Sequence, residues 1–345
     1  KVMNGEKLFS ITAEELRNLY LKSVDEKVLL RQVSKGRATN IKTYTKHYIN
    51  FVGKTRRIQN IPTKEFREYL GFRRKAKDDI LVTVVRNESS SIKQLYRFAI
   101  DQGLMPSNYV PDFGTFKIPN NEATRDAYTI TEYRQLVRFS KQWWKDKSVE
   151  TEEEKYHRRL INDFIVLMFN GGFRTSELLL LKWKDIKGFS IVNDIPHAEV
   201  TIRAENSKVK KERHIEVRRG DVFQRIKEYS RYNESDDFVF SRYNQKALIA
   251  KKTLYETYNE LKQAVKVKHP EFDTGKDIYA LRHLFISMRI LAGFNVYDLA
   301  KVCGTSLTQI QKHYDAVQSL VTSKKLNKTA LSFDSQGNLI GIDDD

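Results

Sequence analysis

The sequence predicts a mainly α-helical chain with a small β-hairpin or sheet, divided into two domains. Apolar residues recur at helical spacing through most of residues 28–113. The period switches to two only around Ala198, Val200 and Ile202, and again at Ile215 and Val217. Between the helical stretches, residues 105–128 hold Pro106, Pro111 and Pro119 and the polar run Asn120-Asn121-Glu122, which reads as a linker. A length of 345 residues is enough for two separate cores.

Composition narrows the partners. A net charge of +17 favours a polyanion, either nucleic acid or an anionic membrane surface. No apolar run approaches the roughly 20 residues that span a bilayer, so a membrane protein is not expected. No signal peptide is visible at the start. Cys303 is the single cysteine, which excludes a disulfide framework, fits an intracellular, cytoplasmic setting and reads as a small buried residue at a helix end. The seven histidines show no metal-ligand spacing, and there is no glycine-rich phosphate loop. No metal or other cofactor is expected.

The elements follow in order. Residues 1–26 form a lead-in or accessory segment with a short amphipathic pattern, Ile11, Leu16, Leu19 and Tyr20, capped by Ser10 or Thr12. A helical domain spans 27–117, with helices through Lys27–Val33, Asn40–Val52, Pro62 to about Arg73, and Ile80–Gln102, the last ended by Gly103. Its polar faces carry Lys42, Thr43, Lys46 and His47 on the second helix and Arg86, Ser89, Ser90, Lys93 and Arg97 on the fourth. In so basic a chain these groups suit phosphate contacts. A linker occupies 118–127, and the second domain runs over 128–326. That domain opens on a helix from Thr129 to Phe139, capped by Thr129 or Thr131, followed by a solvated charged segment, Lys145–Lys155, as a surface loop or helix end. Helices are predicted at Asp221–Tyr229 and Ala247–Val265 with a short strand, Phe238–Phe240, between them. Residues 327–345 read as an acidic, mobile tail.

Two stretches carry chemistry. In the first, the apolar helix Leu160–Phe169 is ended by Gly171-Gly172, and a new helix starts near Thr175 or Ser176. Arg174 therefore sits just before a helix start, within reach of Glu177, where its planar fork suits a phosphate. In the second, Asp277–Tyr314, a helix from about Ala280 to Ala292 is stopped by Gly293. Tyr279 and Arg282 share one of its faces, off the apolar stripe. Ser306 then caps a further helix with Gln309 as partner, and Leu307, Ile310 and Val317 form its buried face. Tyr314 falls on that stripe. Taken alone it reads as a half-buried core tyrosine, and a lone helical arginine reads as solvated or salt-bridged.

Jointly, the chain resembles the tyrosine recombinase (phage-type integrase) family. The first arginine box of that family is similar to Gly172-Phe173-Arg174-Thr175-Ser176-Glu177-Leu178, and its second to Tyr279-Ala280-Leu281-Arg282-His283. Its third resembles Cys303-Gly304-Thr305-Ser306, with Tyr314 nine residues after Thr305. Tyr279 stands where the family usually has histidine, and Thr305 where it has histidine or tryptophan. The resemblance implies a helical core-binding domain plus a mixed α/β catalytic domain. It implies strand cleavage and rejoining through a 3′-phosphotyrosyl link, with Arg174 and Arg282 as the phosphate clamp and Tyr314 as nucleophile. Tyr279 and Thr305 take assisting places, and Glu177 and His283 supporting ones. The family's hairpin lysine falls best on Lys208, with Lys210 as second choice. Implied partners are double-stranded DNA, further copies of the chain as a homotetramer on paired sites, and accessory DNA-bending proteins, in a bacterial or archaeal cell. Two other readings stand beside this one: a relaxing topoisomerase of type IB-like chemistry, and a DNA-binding protein of the same fold that has lost catalysis.

Overall fold

The computed structural model describes residues 11–119, 127–146, 149–207, 209–311, 329–333 and 339–344. The chain divides into two compact units, Lys1–Arg125 and Asp126–Asp345. Among the described residues no helix is long and apolar enough to cross a membrane.

The first unit is built from α1 (Ala13–Leu29), α2 (Lys35–Val52), a 3-10 turn at Thr63–Glu68, α3 (Tyr69–Ala76) and α4 (Val82–Asp101). The helix expected in the lead-in with Ser10 or Thr12 as its cap is present, but it is longer than expected and replaces the one expected at Lys27–Val33. Thr12 caps α1 through a reciprocal pair of bonds with Glu15, so the helix starts at Ala13 and ends where Lys27–Val33 was expected to be helical. The residues expected as a lead-in are core: Ala13, Leu16, Tyr20 and Val24 are buried. The linker is shorter than its prolines suggest, because Met105 and Phe113 pack into this core and Tyr128 into that of the second unit. Ser89, placed on a polar face by periodicity, is buried and donates to the Arg86 carbonyl.

One charged cluster lies inside this unit. Glu88 is buried and accepts from Arg73 Nε at 2.8 Å and Nη2 at 3.0 Å, and from the Tyr69 hydroxyl at 2.8 Å. Fully satisfied, such a cluster is tolerated; losing one partner strands a buried charge.

In the second unit the central element is α6 (Glu152–Gly171), against which α5 (Ile130–Trp143), α8 (Asp221–Tyr229), α9 (Lys251–Lys268), α10 (Ala280–Leu291) and strand β3 (Arg213–Arg218) pack. From Leu160 to Met168 every residue of α6 is buried, and the run is apolar apart from Asn162 and Asp163, whose side chains are hydrogen-bonded. The charged segment before it is the helix start: Thr151 caps the helix and Glu152, Glu153 and Glu154 fill its first turn, where the dipole favours acids. The short α7 (Thr175–Leu179) follows, and α11 (Val296–Cys303) comes after α10.

The expected hairpin is a three-stranded antiparallel meander, ordered β1 (Ile186–Val192), β2 (Ile195–Ile202), β3. Strand β1 was not foreseen. Asn193 and Asp194 both adopt positive φ, giving the two-residue turn whose twist matches a hairpin. On β1, Phe189, Ile191 and Val192 are exposed, so no buried face announces the strand. The strand expected at Phe238–Phe240 is absent; Lys182 and Phe238 make one isolated bridge, and Ser241 and Leu248 another. Residues within the expected mobile tail form strands, β4 (Thr329–Phe333) paired antiparallel with β5 (Leu339–Asp344). The helix expected after Tyr314, including Val317, lies outside the described residues.

Glu88→Ala is expected to destabilise the protein by about 3–5 kcal/mol, because Arg73 and Tyr69 then lose their buried acceptor. Urea unfolding measures this. The double variant Arg73→Met/Glu88→Leu should recover most of the loss, and a Glu88→Ala midpoint equal to wild type would contradict the argument.

Candidate active site

The site begins where α6 stops. Gly172 ends the helix in the left-handed conformation, φ 59°, and a Cβ there would lie 2.5 Å from the Phe285 ring. Only glycine lets α6 and α10 approach this closely. The chain then buries Phe173 and delivers Arg174 as the residue preceding α7. Glu177, one turn in, accepts from the Arg174 backbone N–H at 2.9 Å and from its Nη1 at 2.6 Å.

Helix α10 supplies Arg282 to the same place. Periodicity put Arg282 off the apolar stripe, but it is turned inward and only 1% exposed. Its Nη1 donates to the Gly172 carbonyl at 2.5 Å, its Nη2 to the Cys303 carbonyl at 2.7 Å, and its head lies 4.0 Å from Glu177. An inward arginine survives because carbonyls and a carboxylate replace its lost water. Burial presses its pKa below the ordinary guanidinium value, yet a guanidinium stays charged.

The third contributor is the C-terminal end of α11. Gly304 caps it in the left-handed conformation, and the Thr305 N–H returns to the Ala300 carbonyl at 3.0 Å. The last carbonyls then face arginines: Cys303 accepts from Arg282 and Gly304 from Arg174. Cations at a helix C-terminus meet the negative end of its dipole. A separate apolar cluster of Phe285, Ile286, Ile290, Leu299, Ala300, Cys303 and Ile310 holds α11 on α10. Burial pushes the Cys303 thiol pKa up, which suits a packing residue and not a nucleophile.

Arg213, at the start of β3, was missed by sequence reading. Its Nη1 and Nη2 donate to both Glu177 oxygens at 3.2 and 2.7 Å, and its Nε to the Val302 carbonyl at 3.0 Å. A Cβ on Gly304 would lie 2.5 Å from Arg213 Nη1, so the turn before Thr305 rests on this guanidinium. In the sequence it is one more basic residue after Lys208, Lys210 and Lys211, and no spacing sets it apart.

The other predicted residues are placed as follows. Tyr279 precedes α10 and is half-buried, with the Arg282 guanidinium 5.9 Å from its ring centre and the His283 ring edge-on to it at 5.0 Å. Thr305 is half-buried and is not the cap of the next helix; Ser306 is, accepting from Gln309 N–H at 3.4 Å. Leu307, expected on the buried face of that helix, is exposed, whereas Ile310 is buried. Lys208 and Tyr314 lie outside the described residues. The loop from which Lys208 comes is the β2–β3 connection. With α11 it borders a groove of about 440 Å³ whose lining includes Val209, Lys211, Tyr297, Lys301 and Thr305. Lys210 is exposed and takes positive φ.

Among the DNA-contact candidates of the first unit, Thr43, Lys46, Arg86, Ser90 and Arg97 are exposed. Lys42 is exposed and pairs with Asp25 at 2.9 Å, and Lys93 lies over the Phe113 ring. His47 is half-buried, and burial together with the nearby Arg73 lowers its pKa, so it is neutral at pH 7. Among the described residues no three His, Cys, Asp or Glu side chains gather into a set that could hold a metal ion.

Known proteins supply the comparison. The profile of the phage integrase family matches residues 129–319. The chain belongs to that family. No curated protein sequence matches this integrase. Among solved structures, it is similar to the XerH site-specific recombinase bound to palindromic difH substrate in a post-cleavage complex. That likeness has 13% identity and TM-score 0.66, over 92% of this chain and 97% of the other. It is also similar to a lambda integrase dimer bound to a COC′ core site, with 16% identity and TM-score 0.63, over 88% and 95%. A third likeness is to the Tn1549 transposon integrase in complex with a circular intermediate DNA, with 16% identity and TM-score 0.64, over 91% and 100%. Identities this low carry the fold; the profile match carries the family. The protein is accordingly a tyrosine recombinase, an enzyme of site-specific DNA recombination.

Glu177 gives this site a pH signature. Burial works to raise its pKa, but hydrogen bonds and charge from Arg213 and Arg174 outweigh that and hold it below the usual carboxylate range. A depressed folded-state pKa contributes stability above the unfolded value, about 4.3, which is lost as pH falls through the folded value. Glu177→Gln is therefore expected to lower the melting temperature at pH 7, by the equivalent of about 3–5 kcal/mol. The gap to wild type should narrow below about pH 4. Melting curves from pH 3 to 8 decide it, and a gap constant across that range would refute the charge argument.

Proposed function

We propose that this integrase cuts and rejoins DNA strands through a covalent 3′-phosphotyrosyl intermediate, in integration or excision of a phage or other mobile element. The observation that carries the reading is the convergence of Arg174 and Arg282, far apart in sequence, on Glu177 and on the end of α11. Two fixed guanidinium groups side by side are what a phosphodiester needs. They screen its charge from a nucleophile and stabilise the extra charge of the pentacoordinate transition state.

In this reading Tyr314 attacks phosphorus through its phenolic oxygen and releases its phenolic proton to water. The P–O5′ bond breaks, Lys208 gives a proton to the departing 5′-oxygen, and the 3′-phosphate stays on the tyrosine. A second 5′-hydroxyl then attacks the same phosphorus and releases the tyrosine. One phosphodiester is exchanged for another, so the chemistry consumes no nucleotide. Among the described residues Arg282 gives two of its N–H donors to carbonyls, and this reading assigns its remaining donors to a phosphate oxygen. Tyr279, on the same side as Arg282, keeps a hydroxyl for hydrogen bonding, but its reference pKa of about 10 makes it no base near pH 7. Thr305 follows the Gly304 turn and offers a shorter hydroxyl in the assisting place.

The helical first unit is assigned to duplex DNA binding. The exposed Lys42, Thr43 and Lys46 of α2 and Arg86, Ser90 and Arg97 of α4, with the half-buried Lys93, serve as phosphate contacts there, and His47 as a neutral hydrogen-bonding group. A homotetramer on paired sites, accessory DNA-bending proteins and a bacterial or archaeal cytoplasm complete the proposal. The lambda integrase comparison, which includes a tetramer bound to a Holliday junction, supports the assembly.

The test is a nicked suicide duplex carrying the element's own junction sequence, incubated with the full chain in EDTA. A protein–DNA adduct on a denaturing gel is expected. Tyr314→Phe should abolish it, and Arg282→Lys should slow it by about 10²–10³-fold. Tyr279→Phe, which removes only a hydroxyl, should slow it by about tenfold. Binding without any adduct would sink the catalytic reading and leave a DNA-binding member of the family.

A further inference from the structure

We propose that the second unit carries another phosphate-binding pocket, separate from the arginine pair. It is a concavity of about 440 Å³ bordered by α5 and the residues just beyond it, α6, and the β3–α8 connection. Its cationic lining is Arg138, Lys141, Lys145, Arg159, Arg219 and Arg225, and Asp163 is the single acid among the lining residues. Cations around a concave surface focus their field on what enters it, unlike the same charges spread over a convex face.

Internal pairing does not use up this charge. Asp163 is buried and already committed: it accepts from Arg225, from the Tyr229 hydroxyl at 2.8 Å and from Asn162 Nδ2 at 2.9 Å. Arg219 is held by Asp221 at 2.9 and 2.8 Å. No ion pair among the described residues engages Arg138, Lys141 or Arg159.

Two features point to an oxyanion in particular. Arg159 packs over both Trp144 and Tyr229, with its guanidinium 4.7 and 4.0 Å from their ring centres. A guanidinium packed face-on against rings keeps its in-plane N–H fork, which matches two phosphate oxygens. Arg219 takes φ 65°, a left-handed conformation uncommon for a residue with a side chain. In that turn Arg219 both pairs bidentately with Asp221 and lines the pocket.

The pocket is remote from the scissile site. Gly172 comes thirteen positions after Arg159 at the end of α6, about 20 Å at helical rise. Arg219 comes six positions after Arg213, just past the end of β3, again about 20 Å. That is the length of about six base pairs of duplex. The ligand class is a phosphate group, carried either by duplex DNA flanking the cleaved position or by a free polyphosphate.

The full chain should be titrated with inorganic tripolyphosphate and, separately, with a duplex at several salt concentrations. Both readouts are equilibrium binding and do not depend on cleavage. The variants are Arg138→Gln/Lys141→Gln, which alters only exposed side chains, the same pair with Arg159→Gln, and Arg159→Lys, which keeps the charge and loses the fork. If free phosphate is the ligand, the triple variant binds tripolyphosphate at least about tenfold more weakly, with Arg159→Lys in between. If flanking DNA is the ligand, the log–log salt slope of duplex binding falls by about 2.7 in the triple variant and 1.8 in the double. Unchanged tripolyphosphate affinity together with an unchanged slope would overturn the proposal.

Discussion

The Glu177 carboxylate is the interaction on which the site depends. Three guanidinium groups, from Arg174, Arg213 and Arg282, lie within 4.0 Å of it. At an effective dielectric constant near 20, two like charges about 4 Å apart repel by about 4 kcal/mol. Arginines gathered around one point need an anion between them, and a buried one is strongest because water does not screen it. The anion is itself kept ionised by those partners. Carboxylate and cations are therefore each other's condition of burial, and the cluster still keeps a surplus of positive charge for a substrate anion.

The same cluster ties the second unit together across the sequence. Arg213 brings the start of the sheet, Arg282 brings α10, Arg174 and Glu177 bring the end of α6, and the carbonyls of Val302, Cys303 and Gly304 bring the end of α11. A helix C-terminus has carbonyls without partners, and here three successive ones are satisfied by three arginines. The active site is thus not placed on a finished scaffold; its polar bonds are part of what docks the scaffold's elements.

How much of this could be read in the sequence follows from the physics of each signal. Helices α4, α6, α8 and α10 were legible because a buried stripe, a cap or a stopping glycine marks them locally. Arg174, Glu177 and Arg282 were legible because they share short windows with those helices. Strand β1 was not, since its apolar residues face outward and its only signal is the Asn193-Asp194 turn. Arg213 was not, because its role exists only once β3 lies against Glu177, and no local pattern encodes that. The inward aim of Arg282 was misread for a related reason: amphipathic periodicity assigns charge to solvent, and a buried charge is an exception that tertiary partners create.

The two departures from the family pattern fit this construction. The Tyr279 and Thr305 side chains flank the cluster, and among the described residues they supply none of the hydrogen bonds that hold it. Arg282 is fixed by two backbone carbonyls, and the turn before Thr305 by Arg213 and by the N–H groups that close α11. Backbone groups are present whatever the side chain, so replacing histidine-type residues at these two places leaves the arginine geometry intact. What changes is the proton inventory around the phosphate: an imidazole that can exchange a proton near pH 7 gives way to hydroxyls that only share one. In the proposed mechanism, positioning and charge stabilisation are thereby separated from proton transfer, which that proposal assigns to the hairpin lysine.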